Sequence, residues 1–391
     1  MSSRKHLNIP LTAAFHEEMG YTPESRAAWF RKMQASQPIR YRPDGGFWEV
    51  FRYEDVQRVL TDHTTFSVEF IRLEGLPDVD DIGNTDPPRH RQLRNLVSQA
   101  FTPRRIAQLA PRIRSIVDDL LNQATTDGQM DIAQQFAYPF PVRVIAEMLG
   151  IPPEDQENFL QWSYQRLGVL PPSEHPQQGG LDAYLLELLD QREKEPRDDL
   201  MSALLAAEVD GERMDHKQVL VICEVLLFAG NITTTMLVNH AFHHFERHPE
   251  VFEELRLDPS LIPGALEEIL RYEFSFTNLT RLAKRDSVLA GQEIKEGEAV
   301  IAWMGAANFD EKYFPHAEQF DIRRSPNPHL TFGNGIHYCL GAPLARLEGK
   351  IALERISERI QDIRDNPEHP IQYLEPRLDL IYSLPILFTP V

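Results

Sequence analysis

The stretch HLTFGNGIHYCLG, residues 329–341, sets a single cysteine, Cys339, at the end of a loop that contains Gly333 and Gly335 and is followed by Gly341. Glycine tolerates positive φ and lets the backbone approach a bulky group closely. Beyond it, Leu344, Leu347, Ile351, Ala352, Ile356 and Ile360 fall on one stripe, which predicts an amphipathic helix starting near 342. The N-terminal dipole and free N–H groups of that helix favour a thiolate at Cys339. His337, two residues before the sulfur, can hydrogen-bond an anion. Three other readings compete. A buried structural cysteine is the commonest fate of a lone Cys, but it needs no glycine loop. A zinc site lacks ligands, because the other thiol, Cys223, lies mid-helix. A nucleophile lacks a marked base and oxyanion hole. A single thiolate on a glycine loop best suits one axial position on a large planar cofactor.

The rest of the chain reads as mainly α with a minor β part. Apolar periodicity predicts helices at about 24–35, 53–60, 89–100, 103–124, 139–149, 154–168, 181–193, 198–208, 215–247 and 261–272. IRYRPDGGFWEVF (39–51) reads as a hairpin turning at Asp44-Gly45, and DSVLAGQEIKEGEAVIAW (286–303) as short strands with glycine turns. Residues 61–88 dissolve into a loop, 304–338 are irregular, and PPSEHPQQGG (171–180) is a break that suits the hinge of a mobile lid or a plain surface loop. No repeat, low-complexity tract or linker is evident, so a single domain over 1–391 is expected, with a short disordered N-terminus at about 1–8. Hydrophobic residues make up 42% of the chain, ample for a core. Its 40 basic and 59 acidic residues give a formal net charge of −19, a surface that repels phosphate backbones and argues against nucleic acid. The N-terminus carries no apolar run long enough for a signal peptide or membrane span, and two cysteines make no disulfide framework. These features fit a cytoplasmic monomer.

The longest predicted helix, from the N-cap Asp215 to about Arg247, spans roughly 50 Å and ends at His248-Pro249. Residues 219–229, VLVICEVLLFA, are apolar nearly all round with Glu224 the one charge, the pattern of a helix running through a core. The segment FAGNITTT (228–235) then weakens it: Gly230 costs about 1 kcal/mol relative to Ala. The threonines add β-branched crowding, and their hydroxyls can bond carbonyls a turn back. A packing glycine with satisfied core threonines is the plain explanation.

FGNGIHYCLG resembles the cysteine-ligand loop of the cytochrome P-450 family, in which Phe, two glycines, His or Arg, Cys and Gly recur at these spacings. Other landmarks follow in order along essentially the whole chain. EEILRYE resembles the family's Glu-x-x-Arg pair at Glu268 and Arg271. DPPRHRQLRNLVSQAFTPRR resembles the helix that holds haem propionates through His90 and Arg94, which at i,i+4 share a face. TRLAKRD places Arg281 where the family has a further propionate-binding arginine. AGNITT resembles the motif of the long helix that crosses the haem.

The resemblance implies a cytochrome P-450 fold with haem b (iron protoporphyrin IX) and Cys339 as its iron ligand, the thiolate favouring O–O cleavage. Phe332, His337 and Gly341 belong to the ligand loop, whose N–H groups tune the sulfur. His90, Arg94, Arg281 and His337 neutralise the propionates, while Glu268 and Arg271 brace the irregular stretch before the cysteine. Ala229 and Gly230 leave room for oxygen and substrate. Thr233 is the alcohol that opens the helix locally and orients water toward O2. The family's acid position, however, holds Ile232, and Glu224 lies about 12 Å back along the axis. Proton delivery is therefore expected to use Thr233 and water positioned by Asn231, with no carboxylate relay. Val225, Ala229, Thr277, Leu279, Leu380 and Ile381 are the expected pocket, suiting a hydrophobic fatty acid, terpenoid or steroid. No flavin or iron–sulfur motif is present, so electrons come from outside. Seven arginines and no acid between 89 and 114 suggest a patch that docks an acidic ferredoxin or flavodoxin beside Cys339. The altered acid position also leaves open a peroxide-dependent oxygenase or a haem-binding carrier or sensor.

Overall fold

Thirty-two residues, His216–Arg247, form one unbroken α-helix in the computed structural model. The structure describes residues 18–20, 22–69, 82–124, 128–166, 180–209, 211–273, 277–374 and 377–391. The expected disordered N-terminus and nearly all of the 171–180 break lie outside the described residues. Helices used below are α1 (Pro23–Ser36), α2 (Tyr53–Thr61), α3 (Arg89–Ala100), α4 (Ala110–Ala124), α5 (Pro139–Leu149), α6 (Gln156–Arg166), α7 (Gly180–Lys194), α8 (His216–Arg247), α9 (Ile262–Tyr272) and α10 (Ala342–Ser357). Strands are β1 (Ile39–Arg42), β2 (Phe47–Val50), β3 (Phe66–Ser67), β4 (Gln129–Asp131), β5 (Leu279–Ala283), β6 (Ala299–Ala302), β7 (Ile360–Asp365) and β8 (Pro385–Pro390).

Two expected boundaries differ. The helix expected over 103–124 breaks at Leu109 into Pro103–Gln108 and α4, because Pro111 lacks an N–H and its ring clashes with the carbonyl four residues back. His248-Pro249 does end α8, but Pro249 is also the first residue of an unexpected helix, Pro249–Leu257. Proline is disfavoured inside a helix and favoured at its first position, so one residue serves as both stop and start.

The chain sorts into two compact units that interleave in sequence. One comprises Met1–Ile71, Leu261–Cys339 and Tyr373–Ile381; the other comprises Arg72–Ser260, Leu340–Gln372 and Tyr382–Val391. Each unit is assembled from three separate segments of the chain.

The first unit is built on a sheet of order β1-β2-β6-β5-β3. The β1–β2 hairpin turns through Pro43-Asp44-Gly45-Gly46, where Gly46 adopts φ +68° and its N–H donates to the Arg42 carbonyl at 2.7 Å. β6 runs parallel to β2, with Ala299 opposite Phe47, and antiparallel to β5. Trp29, Phe30, Phe51 and Trp303 pack together beside it, Trp303 stacking on Phe51 at 5.9 Å.

The irregular 304–338 stretch hangs on α9. Glu268 and Arg271 are both fully buried and pair bidentately, at 2.7 and 2.9 Å. The remaining guanidinium hydrogens go to the carbonyls of Asn308, Ala317 and Gln319. Glu268 accepts in turn from Arg324, Asn327 and the Asp321 backbone. Each group has the partners that a buried charge requires.

In the second unit α8 packs on α5, on the π-turn Ala133–Ala137 and on α10, and α10 also packs on α4. A three-stranded sheet of order β7-β8-β4 lies in the same unit. Asp215 and Gln218 form a reciprocal capping box at the start of α8. The helix is long and apolar enough to cross a membrane by length and composition, yet 61% of its most apolar window is buried in the protein.

Removing one partner of a buried ion pair strands the other. Arg271→Met should lower stability by about 3–5 kcal/mol, read as a shift in the denaturant midpoint.

Candidate active site

In the first unit the segment before α10 folds as a string of tight turns. The Gly333 N–H donates to the Leu330 carbonyl at 2.8 Å, the Asn334 side chain accepts from the Gly335 N–H, and a short 3₁₀ turn covers Gly335–His337. The Cys339 N–H closes the loop by donating to the Phe332 carbonyl at 2.9 Å. Gly333 and Gly335 adopt φ of +71° and +75°. Gly335 also abuts the end of α2, where a Cβ would sit 3.0 Å from the Thr61 Cα and 3.1 Å from the Leu60 carbonyl oxygen. No other residue meets both demands. Cys339 ends exposed, Phe332 and His337 half-buried.

Arg281 lies on β5, only 4% exposed, with one Nη donating to the Thr280 carbonyl. Leu279 is half-buried on the same strand; Thr277, Leu380 and Ile381 are buried. Glu268 and Arg271 lie in the brace described above.

The second unit holds the other expected residues. His90 is buried on the first turn of α3 and Arg94 is half-buried one turn later. Gly341 is the N-cap of α10 and adopts right-handed helical angles. On α8, Val225, Phe228, Ala229 and Ile232 fall at i, i+3, i+4 and i+7 and form an open apolar stripe: Phe228 and Ala229 are exposed, Val225 and Ile232 half-buried. This opening interrupts an otherwise buried helix, and it bears no charge.

Three features of α8 refine the reading of FAGNITTT. The helix does not open: it is continuous through Thr233, whose hydroxyl donates to the Ala229 carbonyl at 2.6 Å as an extra bond on an intact turn. Gly230 packs against α5, where a Cβ would meet the Ile145 Cδ1 at 3.2 Å. Asn231 is 1% exposed, yet neither atom of its amide has a hydrogen-bond partner among the described residues. A buried amide left so pays a desolvation cost unless water meets it.

Two carboxyls near this helix are displaced from their ordinary range. Burial pushes Glu224 up, partly offset by Arg166 of α6, which pairs with it and lies 3.7 Å from Asp182 of α7. Glu348 of α10 is fully enclosed; burial pushes it up to about 8, against the downward pull of a hydrogen bond with Thr234. Burial thus favours the protonated form of Glu348 at neutral pH. Its signal was in the sequence, because it lies four residues from both Leu344 and Ala352 on the apolar stripe of α10.

These residues suit a haem. No group of three metal-ligating side chains occurs among the described residues, which leaves a lone exposed thiol on a glycine loop. In the first unit the exposed Cys339 thiol and the buried Arg281 have the chemistry to hold iron and a carboxylate; in the second, buried His90 and the α8 stripe have the chemistry for a carboxylate and an apolar plane. Comparison with known proteins decides the family. The model of the family described as Cytochrome P450 matches residues 180–258 and 260–361. The chain is 39% identical to the putative cytochrome P450 YjiB of Bacillus subtilis, over 90% of this chain and 91% of that protein.

The chain belongs to the cytochrome P450 family.

This P450 is also 37% identical to the erythromycin C-12 hydroxylase of Saccharopolyspora erythraea, over 92% of this chain and 93% of that one. The structure of CYP109E1 from Bacillus megaterium in complex with testosterone superposes with a TM-score of 0.83 at 33% identity, covering 92% and 98% of the two chains. The protein is a monooxygenase with haem as cofactor, and it uses O2, a redox partner and a small-molecule substrate. Its α8 is a buried core helix.

Glu348 should shape the pH profile of stability. The unfolded chain gives up this proton near pH 4.5, the folded protein near 8. Unfolding free energy therefore falls as pH rises between those values. Glu348→Gln keeps the hydrogen-bonding shape and removes the titration, so the variant's Tm relative to wild type should climb steadily from pH 5 to 8, about the interval between the two values.

Proposed function

We propose that this P450 oxidises a hydrophobic small molecule of the fatty acid, terpenoid or steroid class in the cytoplasm, as a monomer fed electrons by a ferredoxin or flavodoxin. The observation that carries the substrate class is the uncharged stripe of Val225, Phe228, Ala229 and Ile232 on α8. An apolar wall holds its ligand by burial rather than by charge. The testosterone complex of CYP109E1 supports the steroid member of that class.

In this reading Cys339 would hold the haem iron, and the Cys339–Phe332 backbone bond fixes the loop that presents its sulfur. His90, Arg94, Arg281 and His337 hold the propionates. Bound haem supplies the chemistry that activates O2. The chain's own task is to hold substrate on the stripe, exclude bulk water and pass protons. Ile232 offers none, so Thr233 and a water held by the unpartnered Asn231 amide carry that step. A peroxide-dependent oxygenase is the second reading, favoured only by Ile232. Efficient turnover with hydrogen peroxide but not with ferredoxin would select it.

The donor site is narrower than seven arginines. Arg89, Arg112 and Arg114 pair with Glu212, Glu147 and Glu354, and Arg105 lies 3.9 Å from Asp198. Arg91 and Arg104 are exposed and carry no ion pair among the described residues. These two are the proposed contacts for an acidic partner.

Two outcomes test the proposal. Thr233→Ala and Asn231→Leu should each cut product formed per NADPH consumed several-fold; an unchanged ratio in both would remove this segment from the proton route. Charge reversal at Arg91 and Arg104 should slow reduction by ferredoxin and flatten its dependence on ionic strength.

A further inference from the structure

Ten residues before Cys339, His329 is nearly closed off from solvent, its side chain 3% exposed. Its Nε2 lies 3.1 Å from Oε2 of Glu267 on α9, and its Nδ1 lies 3.4 Å from the Thr331 backbone N–H. A backbone N–H only donates, so Nδ1 is the acceptor and Nε2 carries the hydrogen toward Glu267. Both ring nitrogens are thereby committed. The ring also lies 5.9 Å from that of Phe332.

The residues just after His329 are held from the same side. The Leu330 N–H donates to Asn308 Oδ1 at 2.8 Å, the Asn308 amide donates to the Thr331 hydroxyl at 3.0 Å, and that hydroxyl donates to the Leu270 carbonyl of α9 at 2.6 Å. Phe332 comes next, and its carbonyl receives the Cys339 N–H. A continuous run of bonds thus leads from α9 to the backbone of Cys339. The adjacent carboxylates Glu267 and Glu268 divide the work: Glu268 is occupied with Arg271 and Arg324, while Glu267 meets His329.

We propose that Glu267 and His329 form a positioning pair for the thiolate ligand. Glu267 orients the imidazole, His329 fixes the Thr331 peptide, and that peptide sets how the 332–339 loop presents the Cys339 sulfur. The pair acts through the chain, not by touching Cys339. This inference rests on the reading of Cys339 as the haem ligand.

Two variants of similar size separate positioning from mere stability. In His329→Asn the amide oxygen stands near the place of Nδ1 and keeps the Thr331 bond. In His329→Gln the amide nitrogen stands near the place of Nε2 and keeps only the Glu267 bond. Both are read on the holoenzyme, by the strongly red-shifted ferrous–CO Soret band of thiolate ligation and by the rate at which Cys339 reacts with a thiol reagent. Cys223 stays silent in that assay, because it is fully buried on α8. The expected result is a retained thiolate band and slow labelling in His329→Asn, against loss of the band and several-fold faster labelling in His329→Gln. Equal spectra and labelling rates in the two variants, whatever their Tm, would overturn the positioning role. A wild-type protein without the red-shifted band would instead overturn the ligand reading itself.

Discussion

A carboxylate and a guanidinium that share a site without water must find every hydrogen-bond partner within the protein. Glu268 and Arg271 do, and most of the partners they find are backbone groups between 308 and 321. The first unit is organised by that demand. Residues 304–338 have little ladder or helix to satisfy their peptide groups, so side chains anchored on or near α9 take over. Asn308, also fully buried, extends the scheme by bonding Leu330 and Thr331. The cysteine loop is the far end of a series of constraints that begins in one helix.

How much of this was legible depends on how local each signal is. The cysteine loop was readable because positive φ at Gly333 and Gly335 is a property of single residues. α8 was readable because its cap, its apolar run and its stop all lie in sequence. Contacts between distant segments were not. Nothing near Gly230 in sequence announces Ile145 as its neighbour, so a packing glycine could not be told from a functional one. The arginine run from 89 to 114 looked like one basic surface, because the acids that pair with it, Glu147, Glu212 and Glu354, come from elsewhere in the chain. The helix break at Leu109 was signalled by Pro111, but apolar periodicity on both sides masked it.

The structure also changes the meaning of the formal charge. The count of −19 treats every carboxyl as ionised. Glu348 at about 8 and Glu246 at about 7, the latter raised by burial and by Asp365, do not fully conform at neutral pH. Both lie in the second unit, on α8 and α10, which pack on each other. Burial that suits leucine is what keeps protons on these acids.

The sheet β7-β8-β4 has the chain's last strand, Pro385–Pro390, at its centre, paired on one side with β7 and on the other with β4. As the chain emerges from its N-terminal end, β4 is made early and waits without its neighbour until Pro385–Leu387 appear. The first unit waits as well, for Tyr373–Ile381. Pairing across so long a stretch of sequence carries a loop-closure cost, so both units depend on distant segments for completion.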